Sequence, residues 1–325
     1  MKIRGQFLVA LRKVKCAARL NDGINLLHGL RLLDDASRVA CVREQEFKNA
    51  IGSLELGALL NADLLFATET CEFDVEQGTT GPEIIGNLLN VVRTYLFHLW
   101  MLRDNCAYFE QGFLFEPDKR ITHSNLLVTT FSKADGSHAY AATFSRKELD
   151  QLRLLIRDAY ERVSIEVAGV ETTDYEKRAL KLVAGKGVDS YSRFQRFIAF
   201  ARETRDVGMK IALYCSALET LLSTSTTELT HRISERVALL IADTEQGRIA
   251  TYEEMKKLYS IRSAVVHGSD IPRKHLANLA ESSTRCDQIV RAVAFRLSVD
   301  AAFRTAIFED EVDADTFFLR KMFGQ

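Results

Sequence analysis

The sequence predicts an α+β protein, with a mixed α/β region over residues 1–185 followed by an all-helical region over residues 186–325. Three observations carry this. The first half mixes extended runs flanking Asp-Gly turn signals with one strongly amphipathic helix. From about residue 186 to 305 the apolar positions recur at helical spacing throughout. The whole chain has the composition of an ordinary globular protein, with 325 residues, 47% hydrophobic, 27% charged and three prolines, which excludes a disordered, collagen-like or purely coiled-coil chain.

Two hairpins are expected in the first half. One spans Lys15–Asp34 around Asn21-Asp22-Gly23, and the other spans Asn125–Phe144 around Lys133–Gly136 (KADG), because Asp-Gly supplies the positive φ of a tight turn. Between them Pro82–Trp100 (PEIIGNLLNVVRTYLFHLW) sets Ile84, Ile85, Leu88, Leu89, Val92, Leu96 and Leu99 on one helical face, with proline at a helix start. Ser145–Glu148 (SRKE) is a capping box that opens a helix to about Val163. The stretch 167–192, carrying Gly169, Gly185 and Gly187, reads as a linker, and the boundary is placed near 185. Gly185-Lys-Gly187 lacks the frame of a phosphate-binding loop. Four helices then follow with short connections, over Tyr191–Leu222, Leu229–Ala242, Tyr252–Val266 and Arg273–Phe303. The Ser223–Thr227 run, Gly247 and Gly268 punctuate them, giving an up-and-down bundle.

The formal net charge of −1 excludes a protein that coats nucleic acid through bulk electrostatics. That neutrality averages unlike parts: residues 186–305 hold eighteen Lys or Arg against fourteen Asp or Glu, while Glu309–Asp315 (EDEVDAD) returns acid at the tail. The six cysteines show no zinc-ligand spacing and read as reduced, mostly buried thiols. No metal or cofactor motif is present. The apolar run near the N-terminus is too short for a signal peptide or a bilayer span, so a cytoplasmic, non-membrane protein is expected.

The informative string is Tyr252–Gly268 (YEEMKKLYSIRSAVVHG). At 100° per residue, Met255, Leu258, Ile261, Val265 and Val266 share the arc that packs into the bundle, and Arg262 falls inside it. An unpaired guanidinium there costs about 3–5 kcal/mol, so a carboxylate is expected opposite it, from Glu219 or Glu235. His267 lies about 140° away by the same geometry, on the face of Ser260 and Ser263, whose small side chains leave room for a bulky anion. Gly268 suits the left-handed position that closes a helix. The carbonyl end of a helix favours an imidazolium, which suits His267 to general-acid chemistry.

Arg262-Ser263-x3-His267 is similar to the R-x4-6-H motif of the HEPN superfamily. With Ala217–Leu222 (ALETLL), Glu228–Leu240 (ELTHRISERVALL) and Lys257–Gly268 (KLYSIRSAVVHG) before and around it, residues 187–305 resemble the Apea-like HEPN group. That resemblance implies an all-helical domain that dimerises, so that the Arg and His of two protomers form one composite site. It further implies a metal-independent endoribonuclease of prokaryotic antiphage or stress defence. In that chemistry a ribose 2′-OH attacks the adjacent phosphate, His267 transfers protons, and Arg262 stabilises the phosphorane oxygens. Ser263 and Glu219 are supporting residues. Lys256, Lys257 and Arg273 are the candidate RNA contacts, although the two lysines better suit a solvated face and Arg273 equally suits a loop. The first 185 residues, which resemble nothing recognised, would sense a phage or cellular trigger or restrain the nuclease. The alternative is a non-catalytic module for dimerisation or partner binding. His98 and Trp100 read as core, and His123 and His138 have no evident partners.

Overall fold

The computed structural model describes residues 2–27, 29–76, 78–127, 130–167, 190–224, 227–308 and 314–324. Its contacts divide the chain into a unit of Met1–Phe131 with His138–Glu161 and a unit of Ser132–Ser137 with Arg162–Gln325. An antiparallel sheet builds the first and helices build the second, so the chain is α+β. The boundary expected near 185 lies outside the described residues.

The sheet is organised around β1 (Lys2–Leu11), seven of whose ten residues are buried. One edge of β1 pairs with β5 (Leu64–Thr68), Leu8 opposite Ala67, and then with β6 (Cys71–Asp74), Gly5 opposite Cys71. The register slips by one residue between the two, and the buried ladder groups left unpaired by it find side chains. Phe7 N–H donates to Thr68 Oγ1 (2.9 Å) and Gln6 Nε2 donates to the Thr68 carbonyl (3.1 Å). The other edge of β1 pairs with β7 (Gln111–Glu116), which forms a hairpin with β8 (Ile121–Leu126). β4 (Leu30–Leu33) and the two-residue β3 (Ile24–Asn25) complete the far side, all antiparallel.

Alternation along β1 separates two cores. Phe7, Val9 and Leu11 join Leu64, Phe66 and Leu114 against α2 (Gly81–Leu102) and α3 (Arg146–Val167). Leu8, with Leu65, Phe113 and Phe115, meets α1 (Gln45–Leu60) through Phe47, Ile51 and Leu59. Both faces are therefore covered, which explains why these strands read as continuous apolar runs. α2 starts with a capping box between Thr80 and Glu83 and Pro82 in its first turn. The Ser145–Glu148 box forms as well, Ser145 N–H donating to Glu148 (2.8 Å) and Glu148 N–H to Ser145 Oγ (3.3 Å).

Neither expected hairpin forms. Asn21-Asp22-Gly23 does make a turn, Gly23 N–H donating to the Leu20 carbonyl at 2.9 Å. The strand before it, β2 (Val14–Cys16), pairs instead in parallel with β9 (Ala142–Phe144), and β3 meets β4 through a later turn at Gly29. The Lys133–Gly136 turn also closes, at 2.9 Å, but it belongs to the helical unit. There Ser132 Oγ donates to the Thr204 carbonyl (2.6 Å) and Ser283 Oγ to the Ala134 carbonyl (2.6 Å). Gly136 has φ +82° and lies so close that a Cβ would sit 2.7 Å from the Arg205 carbonyl, so no other residue fits. Residues 128 and 129 of that proposed hairpin lie outside the described set.

The helical unit contains α4 (Ser190–Glu203), α5 (Val207–Leu222), α6 (Leu229–Ile241), α7 (Glu245–His267), the one-turn α8 (Arg273–Leu276), α9 (Leu279–Val299), α10 (Ala301–Phe308) and α11 (Ala314–Met322). α5 packs against α4, α7 and α9, and α6 packs against α7 and α9. The single helix expected over 191–222 is two, because Asp206 takes an extended backbone and its carboxylate accepts from Met209 N–H (2.9 Å) as the cap of a new helix. Asp300 breaks the expected 273–303 helix in the same way, accepting from Phe303 N–H (3.0 Å). Gly247 does not separate helices: Thr244 caps it from outside (3.1 Å), so α7 begins seven residues earlier than Tyr252.

The sheet's second core can be tested at Phe47, fully buried and edge-on to Phe113 and Phe115 at centroid distances of 6.1 and 6.0 Å. Phe47→Ala is expected to destabilise the protein by about 3–5 kcal/mol. A urea titration should show a lower midpoint with little change of slope; an unchanged midpoint would contradict this core.

Candidate functional site

The site is built from the facing sides of α5 and α7. Met255, Leu258 and Ile261 are fully buried and anchor α7 in the core. Arg262 follows them on the same stripe, with 24% of its side chain exposed, and its Nη2 lies 3.3 Å from Glu219 Oε2 on α5. Of the two carboxylates the sequence offers, the structure selects Glu219. The wheel misplaces one residue: Val266, expected in the buried arc, is 52% exposed.

The ion pair is incompletely satisfied. Arg262 Nε is buried without a hydrogen-bond partner among the described residues, and the buried Tyr259 hydroxyl lies against Glu219. Tyr259 sits one turn before Arg262. Burial, then the neighbouring Cys215 and Glu219, push its hydroxyl far above the ordinary tyrosine range. Next to this nest lies a satisfied network: Asp287, fully buried on α9, accepts from Tyr214 Oη (2.9 Å) and Arg291 Nε (2.7 Å). Cys215 and Cys286 are buried free thiols, and hydrogen bonding to Cys215 together with burial raises Cys286 well above a normal thiol.

His267 is exposed at the last position of α7, with Ser260 and Ser263 exposed on the turns before it. Gly268 adopts φ +68°. Its N–H donates to the Val265 carbonyl (3.4 Å) and Ser269 N–H donates to the Ala264 carbonyl (2.9 Å), the paired bonds of a Schellman ending that glycine makes without strain. Arg262 is thus turned inward to Glu219 and His267 outward to solvent.

The candidate RNA contacts are dispersed. Lys256 is exposed, 3.6 Å from Glu253 and over the Tyr252 ring at 5.3 Å. Lys257 lies 3.3 Å from Glu254 and lines an open polar cleft of about 360 Å³ with Arg285 and Ser282. Arg273 is exposed on α8. Among the described residues no group of three His, Cys, Asp or Glu could hold a metal ion, and no helix is long and apolar enough to cross a membrane. In the sheet unit His98 is buried and its Nδ1 lies 2.8 Å from the Thr94 carbonyl. His123, read as partnerless, pairs with the buried Glu116 at 2.7 Å, seven residues away across the β7–β8 hairpin; His138 also has a partner.

Sequence reading missed Tyr259, whose only signal was its three-residue spacing from Arg262, and it missed the role of the tail. Arg236 of the ELTHRISERVALL block is buried; it donates to the Leu222 carbonyl (2.5 Å) and to Asp315 of α11, with the Phe318 ring 4.9 Å from its guanidinium. Asp315 therefore closes an ion pair, whereas 309–313 of the acidic run lie outside the described residues. Comparison with models of known families, with characterised proteins and with solved structures finds no match to this chain.

The Asp315 contact has a pH signature. Burial works to raise its carboxyl, but the Thr224 hydroxyl and Arg236 outweigh that and hold it below the ordinary range. A depressed carboxyl stabilises the fold above its unfolded value, about 4, and loses that contribution as pH falls through the folded value. Asp315→Asn should therefore lower the melting temperature at pH 7, and the gap to wild type should narrow as pH drops below about 4. A gap independent of pH would contradict the pairing.

Proposed function

We propose that the helical unit is a HEPN-type endoribonuclease that cleaves RNA without a metal ion, acting as a homodimer in prokaryotic antiphage or stress defence. The observation that carries this reading is Arg262-Ser263-x3-His267 at the end of α7, with the ALETLL block on α5 and the ELTHRISERVALL block on α6. Supporting it, Arg262 and His267 leave α7 in different directions, and a second chain would bring the His267 of one protomer to the Arg262 of the other. In the reaction the ribose 2′-OH loses its proton as its oxygen attacks the neighbouring phosphorus. The P–O5′ bond breaks and the leaving oxygen takes a proton, giving a 2′,3′-cyclic phosphate and a 5′-OH. His267, exposed beside Ser263, is the proton-transfer group, and Arg262 neutralises charge on the non-bridging oxygens. Lys256, Lys257 and Arg273 would hold flanking phosphates, and the sheet unit would respond to the trigger.

One observation favours a second reading, a non-catalytic dimerisation or partner-binding module: Arg262 is tied to Glu219 between two packed helices. Incubating pooled RNA with wild type, Arg262→Ala and His267→Ala, all in EDTA, separates the two. Under the nuclease reading both variants lose about 10²–10³-fold or more in rate, and His267→Ala keeps the wild-type melting temperature because its side chain is exposed. Equal cleavage by all three proteins overturns the assignment. Intact RNA with wild type, together with a fall in melting temperature for Arg262→Ala alone, supports the scaffold.

A further inference from the structure

α7 and α9 leave between them an open polar cleft of about 360 Å³, a volume at the lower end of small-ligand sites. Its lining follows from helical spacing. Glu254 and Lys257 stand three residues apart on α7, and Glu281, Arg285 and Gln288 stand four and three apart on α9, so each set occupies one helix face. Ser282, one turn into α9, lines the cleft while only 1% exposed. Its hydroxyl is buried with no hydrogen-bond partner among the described residues, which is costly unless a ligand supplies one. Arg285 is exposed, and its guanidinium meets the neutral Gln288 amide oxygen at 3.2 Å, with no carboxylate paired to it among the described residues. Asn278 makes no side-chain cap, so the positive end of the 21-residue α9 stays open beside Ser282. Lys257 adds a charge that Glu254, 3.3 Å away, cancels only in part. His275 of α8 registers the excess: burial, then Lys274 and Lys257, push its imidazole below the ordinary histidine range against the opposing pull of Glu254.

Two carboxylates, Glu254 and Glu281, line the same cleft. They repel a bare anion, and they offer acceptors to a ligand that carries hydrogen-bond donors beside its charge. A phosphorylated sugar carries both. We propose that the α7–α9 cleft binds a sugar phosphate, either free or as one unit of an RNA strand, with Arg285, Lys257 and the Ser282 hydroxyl donating to the phosphoryl oxygens and Glu281 accepting from a sugar hydroxyl. The site shares Lys257 with the nuclease reading and does not rest on it. Lys257 lies ten residues before His267 on α7, a rise of about 15 Å, so a ligand here leaves the proposed reaction centre free.

The test is isothermal titration of the full-length chain with ribose 5-phosphate and with inorganic phosphate, repeated on Arg285→Gln and Ser282→Ala. Ribose 5-phosphate should bind about tenfold more tightly than inorganic phosphate, and each variant should weaken it about tenfold, the loss of one hydrogen bond to a charged group. Ser282→Ala should keep or raise the melting temperature, because it removes an unmatched buried hydroxyl; a fall would mean that the hydroxyl already has a structural partner and would overturn its role. No binding of ribose 5-phosphate up to about 10 mM, or equal binding by wild type and both variants, overturns the site. Equal affinity for inorganic phosphate overturns the assignment to a sugar phosphate. An RNA oligonucleotide, added to His267→Ala so that it is not turned over, identifies the source: displacement of ribose 5-phosphate assigns the site to the strand, and failure to displace it assigns the site to a free sugar phosphate. Binding and cleavage are read separately, so absence of cleavage by wild type sinks the nuclease reading and leaves this site standing.

Discussion

The helical unit depends on the neutralisation of Arg262 between α5 and α7. A guanidinium in the same stripe as Met255, Leu258 and Ile261 must either leave the interface or find a carboxylate in it, and Glu219 is where the packing of those two helices supplies one. This constraint fixes the rotation of α7 about its own axis. With Arg262 turned to α5, Ser260, Ser263 and His267 must face solvent. The exposure of the histidine follows from the burial of the arginine five residues earlier.

What was legible in the sequence was local. The proline start and stripe of α2, the capping box at Ser145, the Gly268 ending and the alternative carboxylates for Arg262 are all set within one or two turns of chain or by one helix face. What failed was long-range or concerned side chains competing with the backbone. Asp-Gly turns do form at Gly23 and Gly136, but a turn signal does not say which strand comes next. β2 finds β9 some 130 residues away, and the Gly136 turn serves the helical unit. Asp206 and Asp300 lie inside apolar runs whose period continues through them, so periodicity alone reads across a break that a single carboxylate makes. Val266 fits the wheel yet is 52% exposed, since a wheel gives angle and not what stands opposite.

The sheet unit illustrates the same limit from the other side. β1 serves β5, β6 and β7, and its residues divide between two cores by parity, yet a strand buried on both faces has no alternation to announce it. Its apolar run near the N-terminus therefore carries no strand signal by periodicity alone. Gln6 shows how such a strand tolerates a polar residue: its amide donates to Thr68 and accepts from Cys41 N–H at 2.7 Å, satisfying a buried group at the point where the register slips.

The charge distribution also changes meaning once partners are known. The excess of four cations over residues 186–305 would favour a basic surface if those cations were outside. Arg236, Arg262 and Arg291 are turned to Asp315, Glu219 and Asp287 in or near the core. Lys256, Lys257 and Arg296 each have a carboxylate on or next to their own helix. Arg273, Lys274 and Arg285 remain among the exposed cations with no ion pair among the described residues. The first three pairings place part of the cationic excess in or beside the core rather than on the surface.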